Sequence, residues 1–396
     1  MPQSDRKVAI LGAGPIGLEA ALAAAEQGLD FTVYEAAGAV GGYVREWSHV
    51  PTFTPWDMSV SARVRAAMER AGIEAPAGDE LPTGADLVEH LLEPVAALPP
   101  LAGHIRTATR VKAVGRQGLL KHEAIGSPDR AAQPFRLLLD TAEGEAIEHA
   151  GIVIDCTGTY GNPNRMGDGG IDAIGERAFE DRIDRYLPHL RRDAEGWAGR
   201  TILLTGSGHS AQTAARDLAA FAREAPGTRI VWAVRDPQPD WGTVADDPLP
   251  ERAGLNATAA ELAGGASEAV DVLPGTVTEA LAADGDRIAV TLRNGLAQDV
   301  VVDRVLALNG GVGDASLYRQ LQVHECYATC GPMKLAAALL ADSGGDCLTQ
   351  AAHGPETLAN PEPGFFILGA KSYGRNSQFL LRIGWQQVDD VFGALL

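Results

Sequence analysis

The chain has 396 residues, 45% hydrophobic and 21% charged, which is the make-up of a globular protein of two or three domains. Its formal net charge of −19, from 33 Lys and Arg against 52 Asp and Glu, excludes the clustered basic surface that non-specific nucleic-acid binding needs. No signal peptide or transmembrane run is visible and the four cysteines are too few for a disulfide framework, so a cytoplasmic location is expected.

Residues 8–11 are a short apolar run, the pattern of a buried parallel strand. Gly12-Ala13-Gly14-Pro15-Ile16-Gly17 follows. Gly12 permits a strand-to-helix turn, Gly14 lets a pyrophosphate approach the backbone, and Gly17 lets the helix lie close on the sheet. The helix from Pro15 aims its unpaired N–H groups and positive dipole end at that phosphate. Pro15 itself suits a first turn, where no N–H is needed. The alanine-rich residues 16–27 extend this helix, with Gly28 as its stop. Residues 31–35 predict the next strand, and Glu35 at its end is placed to accept both ribose hydroxyls.

Residues 38–57 are punctuated by Gly and Pro and carry Tyr43, Trp47, Phe53 and Trp56. Ordered aromatics on such a loop either wall a flat cofactor or its substrate, or cap the core. Helices are expected over 59–71, with a Ser cap, and over 83–98, with Thr83 as cap and Asp86 and Glu89 near the positive end. Short strands are expected at 109–114, 135–139 and 146–148. Residues 151–156 read as an apolar strand returning to the sheet begun at Val8 and stopping at Thr157-Gly158. The Gly-, Asn- and Pro-rich stretch 161–175 reads as a linker or long loop.

The opening pattern then recurs. A strand at 200–205 leads into Gly206-Ser207-Gly208-His209-Ser210-Ala211, a helix to about Arg223 and a strand at 229–234 ending at Arg235. Ala211 stands in the third glycine's place, a substitution the fingerprint allows. Arg235 stands where an acid would suit a 2′-hydroxyl and can neutralise a 2′-phosphate, which favours NADPH over NADH even with Asp236 next to it. His209 reads as a helix-entry residue near the phosphates. Residues 237–260 read as polar and irregular. Strands return at 270–273, 277–281, 287–292 and 300–308, the last ending at Asn309-Gly310-Gly311. Each half therefore closes on an apolar strand followed by a small polar residue and glycine, as a duplicated unit would. A helix is expected at 332–341. An apolar strand at 364–370 then leads through a Gly369 turn into a helix from about 378 to 392. That helix offers a further positive end, suited to a redox ring that gains negative charge on reduction.

With both glycine motifs placed, the chain resembles the two-dinucleotide-binding-domain flavoproteins. The resemblance implies an α/β fold of two Rossmann-like three-layer domains, an FAD domain at 1–165 and 320–396 interrupted by an NAD(P)H domain at 166–319. It implies FAD contacts at Gly12, Gly14, Pro15, Ile16, Gly17, Glu35, Gly42, Trp47, Val111, Thr157, Gly158, Gly369 and Phe379, with Asp155 in the hinge-side strand motif. NADPH, or NADH in its place, is implied at Gly206, Ser207, Gly208, His209, Ser210 and Arg235.

Within that group, Gly41-Gly42 followed by Trp47 and the Gly-Ser-Gly-His-Ser-Ala loop look most like flavin-containing monooxygenases and amine N-hydroxylases. This implies that NADPH reduces FAD, that O2 forms a C4a-hydroperoxyflavin, and that a soft N or S nucleophile of a small molecule is oxygenated. Residues 161–199 lack the F-x-G-x-x-x-H-x-x-x-(Y/W) signature of those monooxygenases, and the chain is short for them. The rival reading is an NAD(P)H-dependent reductase of a disulfide, a quinone or a partner protein, which Cys326-x-x-x-Cys330 invites. Cys326, Cys330, Cys347 and His353 lack regular metal-ligand spacing, and no metal is expected. Trp56, Tyr373, Arg375 and Asn376 are the substrate-side residues, and no side chain is named as catalytic. The partners are a small molecule and O2, with no nucleic acid or membrane; a homodimer is an option.

Overall fold

The computed structural model describes residues 7–341 and 353–395. Strand β1 (Val8–Leu11) is buried at every position, because its alternate residues enter two different cores. It runs through the glycine turn into α1 (Pro15–Glu26), whose small side chains let it lie close on the sheet, and then β2 (Phe31–Tyr34). Helix α2 (Ala62–Arg70) is capped by Ser61, whose hydroxyl accepts the Val64 N–H at 2.9 Å. Ser59 instead ends a separate turn, Trp56–Ser59. The helix expected over 83–98 starts at a Thr83–Asp86 capping box but widens into a π turn at Val88–Leu92. Pro94, which lacks an N–H and crowds the carbonyl four residues back, accounts for the widening. Strand β3 (Ile105–Arg106) and an antiparallel meander, β4 (Arg110–Arg116), β5 (Phe135–Thr141) and β6 (Gly144–Ala150), lead to β7 (Ile152–Asp155).

The chain then forms β8 (Ile183–Asp184), β9 (Thr201–Thr205), α3 (His209–Glu224), β10 (Arg229–Val234), α4 (Pro250–Ala263) and β11 (Val270–Pro274). A second meander, β12 (Val277–Asp284), β13 (Arg287–Asn294) and β14 (Leu296–Val302), precedes β15 (Arg304–Ala307). Residues 237–249 are irregular as expected, but helix α4 takes up the rest of that stretch from Pro250; Arg252 and Asn256 on its buried face masked the apolar period. The single strand expected over 300–308 is two. At Asp303, whose carboxylate accepts the Thr201 N–H at 2.7 Å, the chain leaves the meander and joins a parallel sheet. Helix α5 (Met333–Ala341), β16 (Phe365–Ile367) and α6 (Leu381–Leu395) complete the elements used below. No described helix is long and apolar enough to cross a membrane.

The chain divides into two compact units, residues 1–162 with 312–396, and residues 163–311. Residues 312–319, expected with the second unit, go with the first. Leu317 and Tyr318 pack there with Leu137 and Phe365, and the Asp314 carbonyl accepts from Lys371. The first unit's sheet has the order β16-β7-β1-β2-β3 and is parallel throughout, with Val8 opposite both Phe31 and Ile152, and Phe365 opposite Val153. Helices α1 and α6 cover one face, and the β4–β6 meander covers the other around Phe135, Leu137 and Leu139. The second unit repeats this arrangement in the order β11-β10-β9-β15-β8, with α3 and α4 on one face and the β12–β14 meander on the other. In each sheet the strand order reverses beside the strand that runs into the glycine turn, between β1 and β7 and between β9 and β15. Open parallel sheets bind ligands beyond the carboxyl ends of their strands at such a reversal.

Candidate functional site

At the first reversal Gly12 has φ +96°, and a Cβ there would stand 2.9 Å from the Cys156 carbonyl oxygen, so only glycine fits. A Cβ on Gly17 would overlap the Gly12 carbonyl oxygen, whereas beside Gly14 no atom lies within 4 Å. The backbone is therefore open at the middle glycine alone. The first-turn N–H groups of α1 have no acceptor inside the helix, and with the dipole they make a donor-lined opening suited to a pyrophosphate. Glu35 turns back onto this loop, accepting the Ala13 and Ala37 N–H groups at 2.8 Å each. Each of its oxygens keeps a lone pair for a sugar hydroxyl. Gly42 lies against the same carboxylate, where a Cβ would stand 3.3 Å from Glu35 Oε1.

Strand β7 ends at Asp155, which is fully buried. Its Oδ1 accepts the Thr157 N–H at 3.1 Å and the Thr157 hydroxyl at 2.7 Å, and its Oδ2 accepts the Lys371 ammonium at 2.6 Å. Lys371 also donates to Thr157 Oγ1 at 3.1 Å and to the Asp314 carbonyl at 2.9 Å, which uses its three N–H groups. Sequence reasoning missed Lys371. The signal available was a lone lysine just past an apolar strand, with an acid ending another apolar strand. Burial, reinforced by Asp155, pushes the Cys156 thiol up, so that cysteine is no thiolate nucleophile. Gly158, at φ +69°, has nothing within 4 Å of its Cβ position. Tyr43 and Tyr160, which follow the Gly42 and Gly158 turns closely in sequence, stack at 6.1 Å and are partly exposed.

The turn after β16 joins these pieces. The Gly369 N–H donates to Gln387 Oε1 at 2.8 Å, and Ile16 packs against Gly369 and Gly384. Phe379 meets Tyr373 edge-on at 5.4 Å. Two expected substrate-side residues are core residues instead. Trp56 packs with the helix-side core, and Tyr373 is 1% exposed, because its ring fills the space between α5 and α6. The Tyr373 hydroxyl is buried with no partner among the described residues, and burial pushes its pKa up to about 12; the residue lines a small cavity with His353, Thr357 and Asp390. Arg375 is exposed and Asn376 half-buried. Trp47 packs against Gly84, its indole N–H without a partner among the described residues, and Val111 packs at the edge of the meander core.

At the second reversal Gly206 has φ +112°, with the Leu308 carbonyl where a Cβ would be, and the space beside Gly208 is open. The loop's carbonyls are held from behind. Trp232 Nε1 donates to the Gly206 carbonyl at 2.8 Å, and Gln212 Nε2 donates to the Ser207 carbonyl at 2.9 Å. The N–H groups at the start of α3 are left for an anion. Ser207, His209 and Ser210 are exposed, while Ala211 is buried. Arg235 is exposed at the end of β10, and Asp236 is engaged in its own turn, accepting the Gln238 N–H at 2.8 Å. Thr205 Oγ1 and Asn309 Nδ2, at the ends of β9 and β15, are buried without a partner among the described residues. Buried polar atoms are ordinarily paired, so orphans at a ligand crevice fit a bound polar group. Cys347 lies outside the described residues, and among those described no three His, Cys, Asp or Glu side chains converge as metal ligands would.

A family model described as an NAD(P)-binding Rossmann-like domain matches residues 10–67. The NAD-dependent dihydropyrimidine dehydrogenase subunit PreT of Escherichia coli is 36% identical over 75 residues, 19% of this chain and 18% of that protein, so the chain matches less than a fifth of that relative's length. Bacillithiol disulfide reductase Bdr from Bacillus cereus is similar over 98% of both chains, with TM-score 0.70 and 17% identity. The Kutzneria ornithine N-hydroxylase KtzI, solved with reduced FAD and NADP+, is similar over 98% of both chains, with TM-score 0.65 and 14% identity. The fold is that of the two-dinucleotide-binding FAD- and NAD(P)-dependent oxidoreductases, which include both disulfide reductases and monooxygenases.

Proposed function

We propose that this chain is a flavoprotein oxidoreductase whose first unit binds FAD and whose second unit binds NADPH, the nucleotide serving to reduce the flavin. The observation that supports it most is the repeated glycine turn. Gly12 and Gly206 each adopt positive φ at the reversal of a parallel sheet, and each is followed by an open glycine at a helix start. Gly14, Ile16, Gly17 and Glu35 would hold the adenosine diphosphate half of FAD, while Gly42, Thr157, Gly158, Gly369 and Phe379 would frame the rest. Gly208, His209 and Ser210 would receive the NADPH pyrophosphate, and Arg235 the 2′-phosphate. Bound FAD supplies hydride and electron chemistry that no side chain offers. The chain's part is to bind, orient and exclude water. The Lys371–Asp155 pair fixes Thr157, and Gln387 fixes the Gly369 turn.

For the electron acceptor, the glycine and tryptophan motifs support O2, with oxygenation of a soft N or S nucleophile on a small molecule. A second reading, reduction of a disulfide, quinone or partner protein, is favoured by Cys326, whose sulfur accepts hydrogen bonds from Thr329 and Ala328. The purified protein is expected to be yellow and to oxidise NADPH faster than NADH. Arg235→Ala should raise the KM for NADPH by about tenfold or more while leaving that for NADH within about twofold, as loss of one charge-assisted phosphate contact predicts. A colourless protein whose spectrum ignores added FAD would overturn the reading. Stopped-flow mixing of the reduced protein with O2 separates the acceptors. A lasting absorbance distinct from reduced and oxidised flavin indicates oxygenation; direct return to oxidised flavin, with turnover rescued by a disulfide or quinone, indicates a reductase.

A further inference from the structure

Cys326 and Cys330 close a single turn. The Cys330 N–H donates to the Cys326 carbonyl at 2.8 Å, and the Cys326 N–H donates to the Gly331 carbonyl at 2.8 Å. A turn closed from i to i+4 holds its end Cα atoms about 6 Å apart, the helical i,i+4 spacing. A disulfide spans Cα separations of roughly 4.4–6.8 Å. Both thiols are free. Cys330 has φ +61°, a backbone state in which glycine sits without strain, so a thiol is kept where a side chain is disfavoured.

The two sulfurs have different surroundings. Cys326 is 5% exposed, next to Tyr327, which is 95% exposed, and Cys330 is half-buried. The Thr329 hydroxyl, with the Thr329 and Ala328 N–H groups, points at the Cys326 sulfur and holds its thiol below the usual range. A sulfur in such a nest is a ready thiolate and a good leaving group. The turn is also anchored. The Thr329 carbonyl accepts the Arg375 N–H at 2.7 Å, and Gly331 packs so closely on the turn after β16 that a Cβ would stand 2.9 Å from the Ser372 carbonyl oxygen.

We propose that Cys326 and Cys330 form a thiol–disulfide exchange site that accepts small disulfides from solvent. The more accessible Cys330, as thiolate, attacks one sulfur of the external disulfide; that S–S bond breaks, a mixed disulfide forms, and one thiolate leaves and takes up a proton. The Cys326 thiolate then attacks Cys330 Sγ, expelling the second external thiolate, which is protonated in turn. The pair ends as a Cys326–Cys330 disulfide, two protein thiols having been oxidised and one external disulfide reduced to two thiols. The exchange needs no nucleotide and rests on the reductase reading only for the source of electrons that would reopen the bridge.

The test uses the full-length protein carrying Cys347→Ser, reduced and freed of reductant, with oxidised glutathione as probe. The products are alkylated and mapped by mass spectrometry. The expected result is a Cys326–Cys330 bridge, two reduced glutathione molecules released per chain and no glutathione retained. Cys326→Ser should trap one glutathione on Cys330, and Cys330→Ser should react about tenfold or more slowly, as loss of the accessible thiol predicts. Glutathione retained on the Cys347→Ser chain without a 326–330 bridge would overturn the proposal, as would a Cys326→Ser adduct at any cysteine other than Cys330. The Cys347→Ser product map decides the matter even where a further serine variant fails to fold. Adding NADPH to the bridged, FAD-loaded protein then tests the reductase reading separately, since a bridge that stays closed counts against that reading and leaves the exchange intact.

Discussion

Gly14 and Gly17 stand three residues apart and fail in opposite ways when given a side chain. A methyl at Gly17 would overlap the Gly12 carbonyl oxygen, so Gly17→Ala must push α1 off the sheet. It should cost about 1–3 kcal/mol, as overpacking does, and lower the flavin content together with the melting temperature. At Gly14 nothing in the protein lies within 4 Å, and its extended backbone suits any residue. Gly14→Ala should therefore melt like the parent yet lose flavin, because only a ligand meets the methyl. Equal melting temperatures for both variants would contradict this division. These glycines were legible in the sequence because a strand–loop–helix phosphate site is built locally and leaves a spaced glycine signature. Lys371 was not, since its meaning depends on Asp155, more than two hundred residues earlier. Nor was the support that Trp232 and Gln212 give the second glycine loop, because an ordinary core tryptophan carries no mark of the carbonyl it will reach. Trp56 and Tyr373 misled for the same reason: their aromatic character fits a pocket wall and a core equally well.

Strands and helices were legible where their period was clean and illegible where a polar group interrupted it. The βαβ units, the return strands and both meanders were visible in apolar runs. Helix α4 was hidden because Arg252 and Asn256 occupy its buried face, Arg252 being paired with Asp247 at 2.7 Å. A comparable buried charge governs how β16 is held. Glu362, just before that strand, lies between Arg116 Nε at 2.6 Å and Arg130 Nη2 at 2.7 Å and accepts the Gln322 N–H at 2.8 Å. Burial opposes its charge, but Arg130, the Gln322 N–H and Arg116 outweigh it and hold the carboxyl below the usual range. A folded pKa below the unfolded value, about 4.3, gives stability that is fully present above that value and lost as the pH falls through the folded one. Glu362→Gln strands two guanidinium groups and should cost about 3–5 kcal/mol near neutral pH. Denaturant titrations should show the gap to the parent narrowing below about pH 4. A pH-independent difference would mean that the carboxylate contributes through shape alone.

The first unit is assembled from both ends of the chain, and the second is one contiguous stretch. Ending the chain before Leu381 removes Ile383, Val388, Val391 and Phe392 from the helix-side core and takes away the Gln387 that holds Gly369. The truncated protein is expected to lose FAD and to expose apolar surface, measurable as lost yellow colour and gained dye binding; a truncated protein that stays yellow would contradict this assembly. The pairing of Phe365 with Val153 has a further consequence, for the order in which the polypeptide leaves the ribosome. The second unit can close as soon as its own residues have emerged, while β7 waits with one apolar edge unpaired until β16 is made. An unpaired hydrophobic edge on a nascent chain is a template for misassembly. The half of the molecule that begins to be translated first is therefore the half that matures last, because its sheet waits for β16.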